Sequence, residues 1–328
     1  MNICFKCGKE KSNREVVLDV QGRLHVLTLC DECYKRYEPK VTGKGVELKE
    51  MKRLRFYYGV LFIESSKLGE LISKASTVSW IVSKISILGI MLSIISTAFM
   101  IYSLMDRLTR YNPIVMHLSK HRVSLMIPGI DPILPLIEGL IILLFAMITH
   151  EFMHGVVSTY YGIPPSSAGV ALFLGFLPFM VYVRYPGLHR DPWKNVKIAG
   201  AGIVGNAILA LISLALFLLN APGIYFEKPM LVFAPPPLLK LAGIMEIELP
   251  FTASLLYYVW FVNFAVILIN GCMLFPAVDG HTILKYMLLK KISYRYSWMV
   301  TLSSMIVFTT LVIGIVMRDW FYIYISKL

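Results

Sequence analysis

The chain consists of long apolar segments separated by polar and charged ones. Five of these segments are long and nearly free of charge, as a helix that crosses a lipid bilayer must be. They are Ser79–Leu104, Leu136–Tyr160, Ile198–Leu219, Ser254–Phe275 and Trp298–Val316. The pattern predicts a mainly α-helical fold, a polytopic membrane helix bundle of about five or six transmembrane helices.

A further apolar stretch, Gly169–Val183, is too short to cross a bilayer as a helix. It contains Gly175 and Pro178, which disfavour a continuous helix. We expect a re-entrant β-hairpin there. Residues 41–78 form a basic linker or interfacial segment, in which Phe56–Ile63 either lies at the membrane surface or forms a strand.

The distribution of charge predicts the orientation of the helices. The 328 residues are 57% hydrophobic and carry a formal net charge of +12. Loops 184–197 and 280–296 each contain four Lys or Arg residues, whereas loop 221–252 contains two. Cytoplasmic loops are enriched in these residues. We therefore expect a multi-pass protein of the cell membrane with its N-terminus in the cytoplasm, although loop 103–131, which also has four basic residues, is then outside.

Four of the five cysteines form two closely spaced pairs near the N-terminus. The pairs are Cys4-x2-Cys7 and Cys30-x2-Cys33. Two such pairs separated by about twenty residues are typical of a zinc site and not of disulfides, and zinc thiolates indicate a reducing compartment. Residues 1–40 are therefore expected to form a small zinc ribbon, in which the strands Val16–Val20 and Leu24–Leu29 make a hairpin.

The segment Leu136–Tyr160 carries the sequence His150-Glu151-Phe152-Met153-His154. Residues four apart share one face of a helix, so the imidazoles of His150 and His154 are expected side by side. This spacing is typical of two zinc ligands, and Glu151 fits the general base of a metalloprotease. Ionisable groups are costly in a membrane helix, and a bound metal ion would offset that cost.

A catalytic zinc ion usually has three protein ligands and an open position for water, so a third ligand is expected elsewhere. Asp279 is our preferred candidate, because it follows a predicted span and precedes Gly280, which permits a sharp turn. His281 and His189 are rival ligands. Alternatively, Asp279-Gly280 is only a turn that ends a helix.

Three motifs occur in apolar segments in a recognisable order. They are His150-Glu151-Phe152-Met153-His154-Gly155, Gly202-x3-Asn206 and Pro276-x2-Asp279-Gly280. In this order they resemble the site-2 protease family of intramembrane zinc metalloproteases, over roughly residues 128–290. The segment Pro128-Gly129-Ile130-Asp131-Pro132 also resembles the approach to the first motif in archaeal members.

The resemblance implies a role for each motif residue. His150, His154 and Asp279 would bind the catalytic zinc ion. Glu151 would activate a water molecule, and Asn206 would help to hold the substrate or the developing oxyanion. The hairpin at 169–183 would pair with an unwound strand of the substrate. The sequence assigns no role to two further amides in the fourth span, Asn263 and Asn270.

Together these features divide the chain into a zinc ribbon (1–40), a linker (41–78) and a membrane metalloprotease domain (79–328, core 128–290). We expect a zinc metalloendopeptidase that hydrolyses peptide bonds within or near transmembrane segments, as in regulated intramembrane proteolysis. It would bind one catalytic and one structural Zn²⁺. Its expected partners are a transmembrane protein substrate, the lipid bilayer and a soluble protein at the ribbon.

Other functions remain open. Nucleic acid is not expected as a partner, because acidic residues lie among the lysines of the ribbon. A non-catalytic membrane zinc sensor or scaffold is one alternative, in which the ribbon binds a soluble partner. A transporter is another, against which the lack of an evident repeated half argues.

Overall fold

The computed structural model describes Cys4 and residues 14–20, 23–42, 45–50, 54–57, 60–75, 79–109, 136–173, 177–185, 189, 191–220, 251–275, 278–289 and 297–325. Three features of the sequence motifs lie outside these residues. They are Cys7, Pro276 and the segment Pro128–Pro132.

Helices make up most of the described structure. In chain order they are α1 (Asp31–Arg36), α2 (Ser66–Lys74), α3 (Ser79–Ile85), α4 (Leu88–Thr109), α5 (Leu136–Tyr160), α6 (Pro192–Asn220), α7 (Phe251–Gly271), α8 (Asp279–Leu289) and α9 (Ser297–Ile325). Five segments, namely α3 with α4, α5, α6, α7 and part of α9, are long and apolar enough to cross a membrane, with mean hydropathies of 1.9 to 2.4. By length and composition, the predicted mainly helical, multi-span architecture is confirmed.

The described strands form three antiparallel sheets. The strands are β1 (Arg14–Val20), β2 (Arg23–Leu29), β3 (Tyr37–Thr42), β4 (Gly45–Glu50), β5 (Leu54–Tyr57), β6 (Val60–Ser65), β7 (Ser167–Phe173) and β8 (Leu177–Arg184). β1 pairs with β2 and β3 with β4, while the other four form one sheet in the order β5-β6-β7-β8. The hairpin predicted at Gly169–Val183 is confirmed as β7–β8, in which Ala168 lies opposite Val183.

The sequence left two possibilities open for the run Phe56–Ile63, and its described residues lie in strands β5 and β6. β6 pairs with β7, and Ile63 lies opposite Val170. The run is short and rich in β-branched and aromatic residues, a composition that favours strands. Part of the predicted linker therefore belongs to the same sheet as the hairpin, and β8 ends this sheet on the side that contacts α5.

Helix α6 lies at the centre of the helical bundle, because it contacts α4, α5, α7 and α8. Its buried side chains Ile203 and Phe217 belong to the same apolar cluster as Tyr257 and Trp260 of α7. A second contact ties α7 to α4, since the hydroxyl of Ser96 donates to a backbone carbonyl of α7 at 3.2 Å. These contacts hold the three helices in a fixed arrangement around the polar residues described below.

The expectation that Asp279 lies at the end of a span, with a loop over 280–296, is wrong. The span α7 ends at Gly271, and Asp279 is the first residue of the separate helix α8. Apolar side chains of α8 that are three residues apart, Ile283 and Tyr286, are buried against the bundle, and this spacing favours a helix. The start of α8 lies very close to the end of α7. A Cβ at Gly280 would lie 2.2 Å from the carbonyl oxygen of Gly271.

The N-terminal segment contacts the rest of the described structure through α1. The predicted hairpin is confirmed as β1–β2, with Val16 opposite Leu27. Tyr34 of α1 is 1% exposed, and its hydroxyl donates a hydrogen bond to the carbonyl of Pro164. An ion pair at the surface, Lys35 Nζ to Glu70 Oε1 at 3.5 Å, joins α1 to α2.

Candidate metal centre

The imidazoles of His150 and His154 lie side by side on the buried face of α5. Both residues are 6% exposed. Their Nε2 atoms are 3.1 Å apart, and the two rings are perpendicular with centroids 4.6 Å apart. The helical spacing of four residues therefore brings two potential ligand atoms to one point, as the sequence predicted.

The first residue of α8 completes this group. Asp279 Oδ2 lies 2.7 Å from His150 Nε2 and 3.1 Å from His154 Nε2. The rival ligands lie elsewhere: His281 Nε2 is 2.9 Å from the hydroxyl of Thr301, and His189 Nδ1 accepts a hydrogen bond from the backbone of Asp191. Of the three candidates for the third ligand, the structure brings Asp279 to the two imidazoles.

The Nδ1 atom of each imidazole has its own hydrogen-bond partner, which determines whether Nε2 carries a proton. His150 Nδ1 lies 2.5 Å from the amide oxygen of Asn206, and His154 Nδ1 lies 2.6 Å from the carbonyl oxygen of Ile198. Both partners only accept hydrogen bonds, so each Nδ1 carries the proton and donates it. In the neutral imidazoles, both Nε2 lone pairs then face the same point as the Asp279 carboxylate.

Three acceptor atoms at about 3 Å from one another repel unless a cation lies between them. Ligand atoms on a tetrahedral zinc ion, with bonds of about 2.0 Å, lie about 3.3 Å apart, which is close to the observed separations. The donor set of two nitrogens and one oxygen also suits zinc. The three residues therefore fit a divalent metal ion with one position left open.

The carboxylate of Asp279 is stabilised in its ionised form. Burial by itself raises the pKa of Asp279, but when His154 and His150 are protonated, their charges and hydrogen bonds outweigh it and the net pKa lies well below the usual value. An ionised carboxylate is the form that binds metal.

Asn206 lies behind His150 and is completely buried. Its oxygen accepts from His150, while its Nδ2 atom donates to the carbonyl of Ala146 at 3.0 Å and to Asn263 Oδ1 at 2.7 Å. Both amide hydrogens are thus in use, and none is left for an oxyanion. The expected oxyanion contact is not supported by this geometry, because Asn206 instead orients the imidazole of His150.

A different amide lies closer to the ligand atoms. Asn270 Nδ2 is 3.5 Å from His150 Nε2, and Asn263 donates to the carbonyl of Val259 within α7. The two amides without a sequence-based role therefore differ in position. Asn263 supports Asn206, and Asn270 approaches the metal-binding point itself.

Glu151 belongs to the same group of potential ligands. One oxygen atom of its carboxylate and the ring nitrogens of His150 and His154 lie within 4.8 Å of one another. Its Oε2 atom accepts a hydrogen bond from the backbone N–H of Val183 in β8 at 3.1 Å. The carboxylate is therefore held between the two imidazoles and the outer strand of the sheet.

A cavity of about 230 Å³ adjoins these residues. Its wall includes Glu151, His154, Asp279, Ser158, Tyr185 and Tyr286. Burial raises the pKa of the Tyr185 phenol well above its usual value, and the carboxylates of Glu151 and Asp279 raise it further. Tyr185 is accordingly a neutral phenol that can donate a hydrogen bond.

Three cysteines form a second potential metal site. The Sγ atoms of Cys4, Cys30 and Cys33 lie within 4.8 Å of one another, and all three residues are buried. No disulfide joins any of the described cysteines. The N–H of Cys33 points to Cys30 Sγ at 3.5 Å, a contact that stabilises a thiolate. We refer to these three residues as the cysteine cluster.

Sequence reasoning did not identify Tyr185 or the N–H of Val183 as parts of the site. Both depend on the contact between β8 and α5, which joins segments distant in sequence. The sequence offers only a weak signal for Tyr185, because this residue directly follows a mainly apolar strand. Functional side chains are common at positions that directly follow a strand or helix of a rigid scaffold.

Comparison with known proteins gives one distant relative. An uncharacterized protein of Methanocaldococcus jannaschii is 30% identical over 172 residues, which are 52% of this chain and 46% of that protein. The chain thus matches about half the length of this curated relative. No family model matches the chain, and no solved structure matches it.

Proposed function

We propose that this protein is an intramembrane zinc metalloprotease of the site-2 protease type, which hydrolyses peptide bonds within or near transmembrane segments. One observation carries the proposal: the lone pairs of His150 and His154 and the carboxylate of Asp279 meet at one point beside Glu151. This is the ligand and base arrangement of zinc peptidases, and its two histidines lie on a helix long and apolar enough to cross a membrane.

The residues around the metal-binding point have separate tasks. When bound, the zinc ion acts as a Lewis acid that polarises a carbonyl group and lowers the pKa of water. Glu151 accepts the proton of the attacking water and transfers it to the leaving amine. Its Oε2 atom is held by Val183, so Oε1 is the atom that receives the proton.

The amides have supporting roles in this scheme. Asn206 keeps the Nδ1 proton of His150 in place and thereby the lone pair of Nε2 directed at the metal. Asn270 approaches His150 Nε2 at 3.5 Å. Its amide is therefore a candidate donor for the oxygen of the reacting carbonyl.

The position of the sheet supports a peptide substrate. β8 is one of the two outer strands of the described four-stranded sheet, and it contacts α5, which carries Glu151. An outer strand is the place where an extended peptide can add to a sheet through backbone hydrogen bonds. A transmembrane segment that unwinds locally would present such a peptide to the cavity.

The cysteine cluster supports a second zinc ion. We propose that Cys7 is its fourth ligand, since Cys4-x2-Cys7 and Cys30-x2-Cys33 have the spacing of a structural zinc site. A zinc thiolate site and the basic loops favour a cytoplasmic N-terminus in the cell membrane. The same segment offers a docking site for a soluble protein.

The metal content of purified protein tests both sites. Wild-type protein should contain two zinc ions per chain, and His150→Ala and Cys33→Ser should each contain one. Cys272→Ser is the matched control, because Cys272 is equally buried but lies outside the cysteine cluster. Two zinc ions in His150→Ala would contradict the core site.

The protease activity is tested with Glu151→Gln, which keeps the ligands and removes the base. New N-termini are mapped by mass spectrometry in membranes that contain wild-type protein or the variant. We expect new termini within or near transmembrane segments for the wild type and none for Glu151→Gln, with Glu138→Gln of the same helix as control. Zinc in the core without any such termini would favour a zinc sensor or scaffold instead.

A further inference from the structure

The phenol of Tyr185 has an unusual environment in the wall of the cavity. Its hydroxyl oxygen is buried and has no hydrogen-bond partner among the described residues. The hydroxyl of Ser158 is nearby but donates to the carbonyl of Gly155 at 2.9 Å. A buried hydroxyl without a partner destabilises the folded protein, and such groups in native proteins call for an explanation.

The position of Tyr185 explains why its hydroxyl is left without a partner. It directly follows β8, two residues after Val183, whose N–H holds Glu151. It lines the same cavity as Glu151, His154 and Asp279. The phenol therefore lies next to the base and the ligands, directly after the strand that holds the base, and a group that enters the cavity can accept its hydrogen bond.

We propose that Tyr185 is a catalytic residue that donates a hydrogen bond to the oxygen of the scissile carbonyl as this oxygen becomes an anion. This inference rests on the proposed peptidase function. A neutral donor in a buried site stabilises an anion more than it stabilises a neutral carbonyl, so the contact is strongest in the transition state. No proton is transferred, because the phenol remains neutral while Glu151 moves the proton.

Acetohydroxamate is a suitable probe, because its two oxygens stand in for the two oxygens on the tetrahedral carbon. Its affinity for zinc-loaded protein in detergent is measured by calorimetry, with His150→Ala as background. We expect Tyr185→Phe to keep its zinc and to bind the probe about 10- to 100-fold more weakly, as for a lost hydrogen bond to a charged group. Tyr286→Phe, which alters another phenol of the same wall, should bind it within about twofold of wild type.

The outcomes separate this inference from the proposed function. Equal affinity in wild type and Tyr185→Phe, or an equal loss in Tyr286→Phe, overturns the role of Tyr185 and leaves the peptidase function intact. No binding by the wild type above the His150→Ala background overturns the metal centre and this inference together. If Tyr185→Phe loses zinc, the test uses Tyr185→His, which retains a hydrogen-bond donor. This variant must then restore part of the affinity for acetohydroxamate. An equal loss of affinity in both variants overturns the role of Tyr185 as a donor.

Discussion

The hydroxyl of Tyr34 donates a hydrogen bond to the carbonyl of Pro164, across 130 positions of the chain. Tyr34 follows Cys33 of the cysteine cluster, and Pro164 follows Ile163, which lines the cavity. The two candidate metal sites are therefore joined by one buried contact. Any displacement of α1 acts on the wall of the cavity through this pair.

The variant Tyr34→Phe should weaken the attachment of α1. It leaves the buried carbonyl of Pro164 without this donor, at a cost of about 1–3 kcal/mol. We expect faster amide hydrogen exchange in Asp31–Arg36, with unchanged zinc content. Tyr102→Phe is the control, because Tyr102 is 62% exposed. Unchanged exchange in α1 would show that this hydrogen bond does not hold the N-terminal segment in place.

The variant Asn206→Ala should lower the zinc affinity of the core site. Without the amide oxygen, the Nδ1 proton of His150 loses its partner, and the ring is free to rotate or to change its tautomer. Loss of such a support typically costs about 10- to 100-fold in metal affinity. Competition with a chelator measures the change, and Asn220→Ala at the exposed end of the same helix should have no effect. Wild-type affinity in Asn206→Ala would contradict its role in orienting the imidazole.

The variant Gly202→Ala should prevent metal binding at the core by a steric effect. A Cβ at this position would lie 2.4 Å from His154 Nε2 and 2.7 Å from His150 Nε2, in the space that the metal needs. We expect one zinc ion per chain in place of two, with the cysteine cluster still loaded. Gly314→Ala is the control, since its Cβ would meet only a flexible leucine atom at 3.4 Å. Two zinc ions in Gly202→Ala would mean that the metal binds elsewhere.

Local periodicity explains what the sequence predicted well. The pairing of His150 with His154 follows from the helical repeat alone, and the bounds of α5 follow from one apolar segment. The hairpin β7–β8 follows from a short apolar run with Gly and Pro. These features need no knowledge of distant contacts.

The remaining features depend on how separate elements pack. The contact of Asn206 with His150 depends on the rotation of α6 against α5. Asn263 and Asn270 lie on the same helix, and the sequence does not show which of them approaches the ligand atoms. Asp279 was chosen as a ligand because it follows a span, yet it reaches the site as the first residue of α8. The partners of Tyr34 and Glu151 are set by long-range contacts, for which no local pattern exists.

The hydrogen bond between Glu151 and Val183 limits how a peptide can pair with β8. A backbone N–H can support one strong hydrogen bond, and that of Val183 is already taken by the carboxylate. A peptide strand that extends the sheet at this point must compete with the base for the same N–H. A strand that leaves the base in place must therefore pair with β8 through backbone groups other than this N–H.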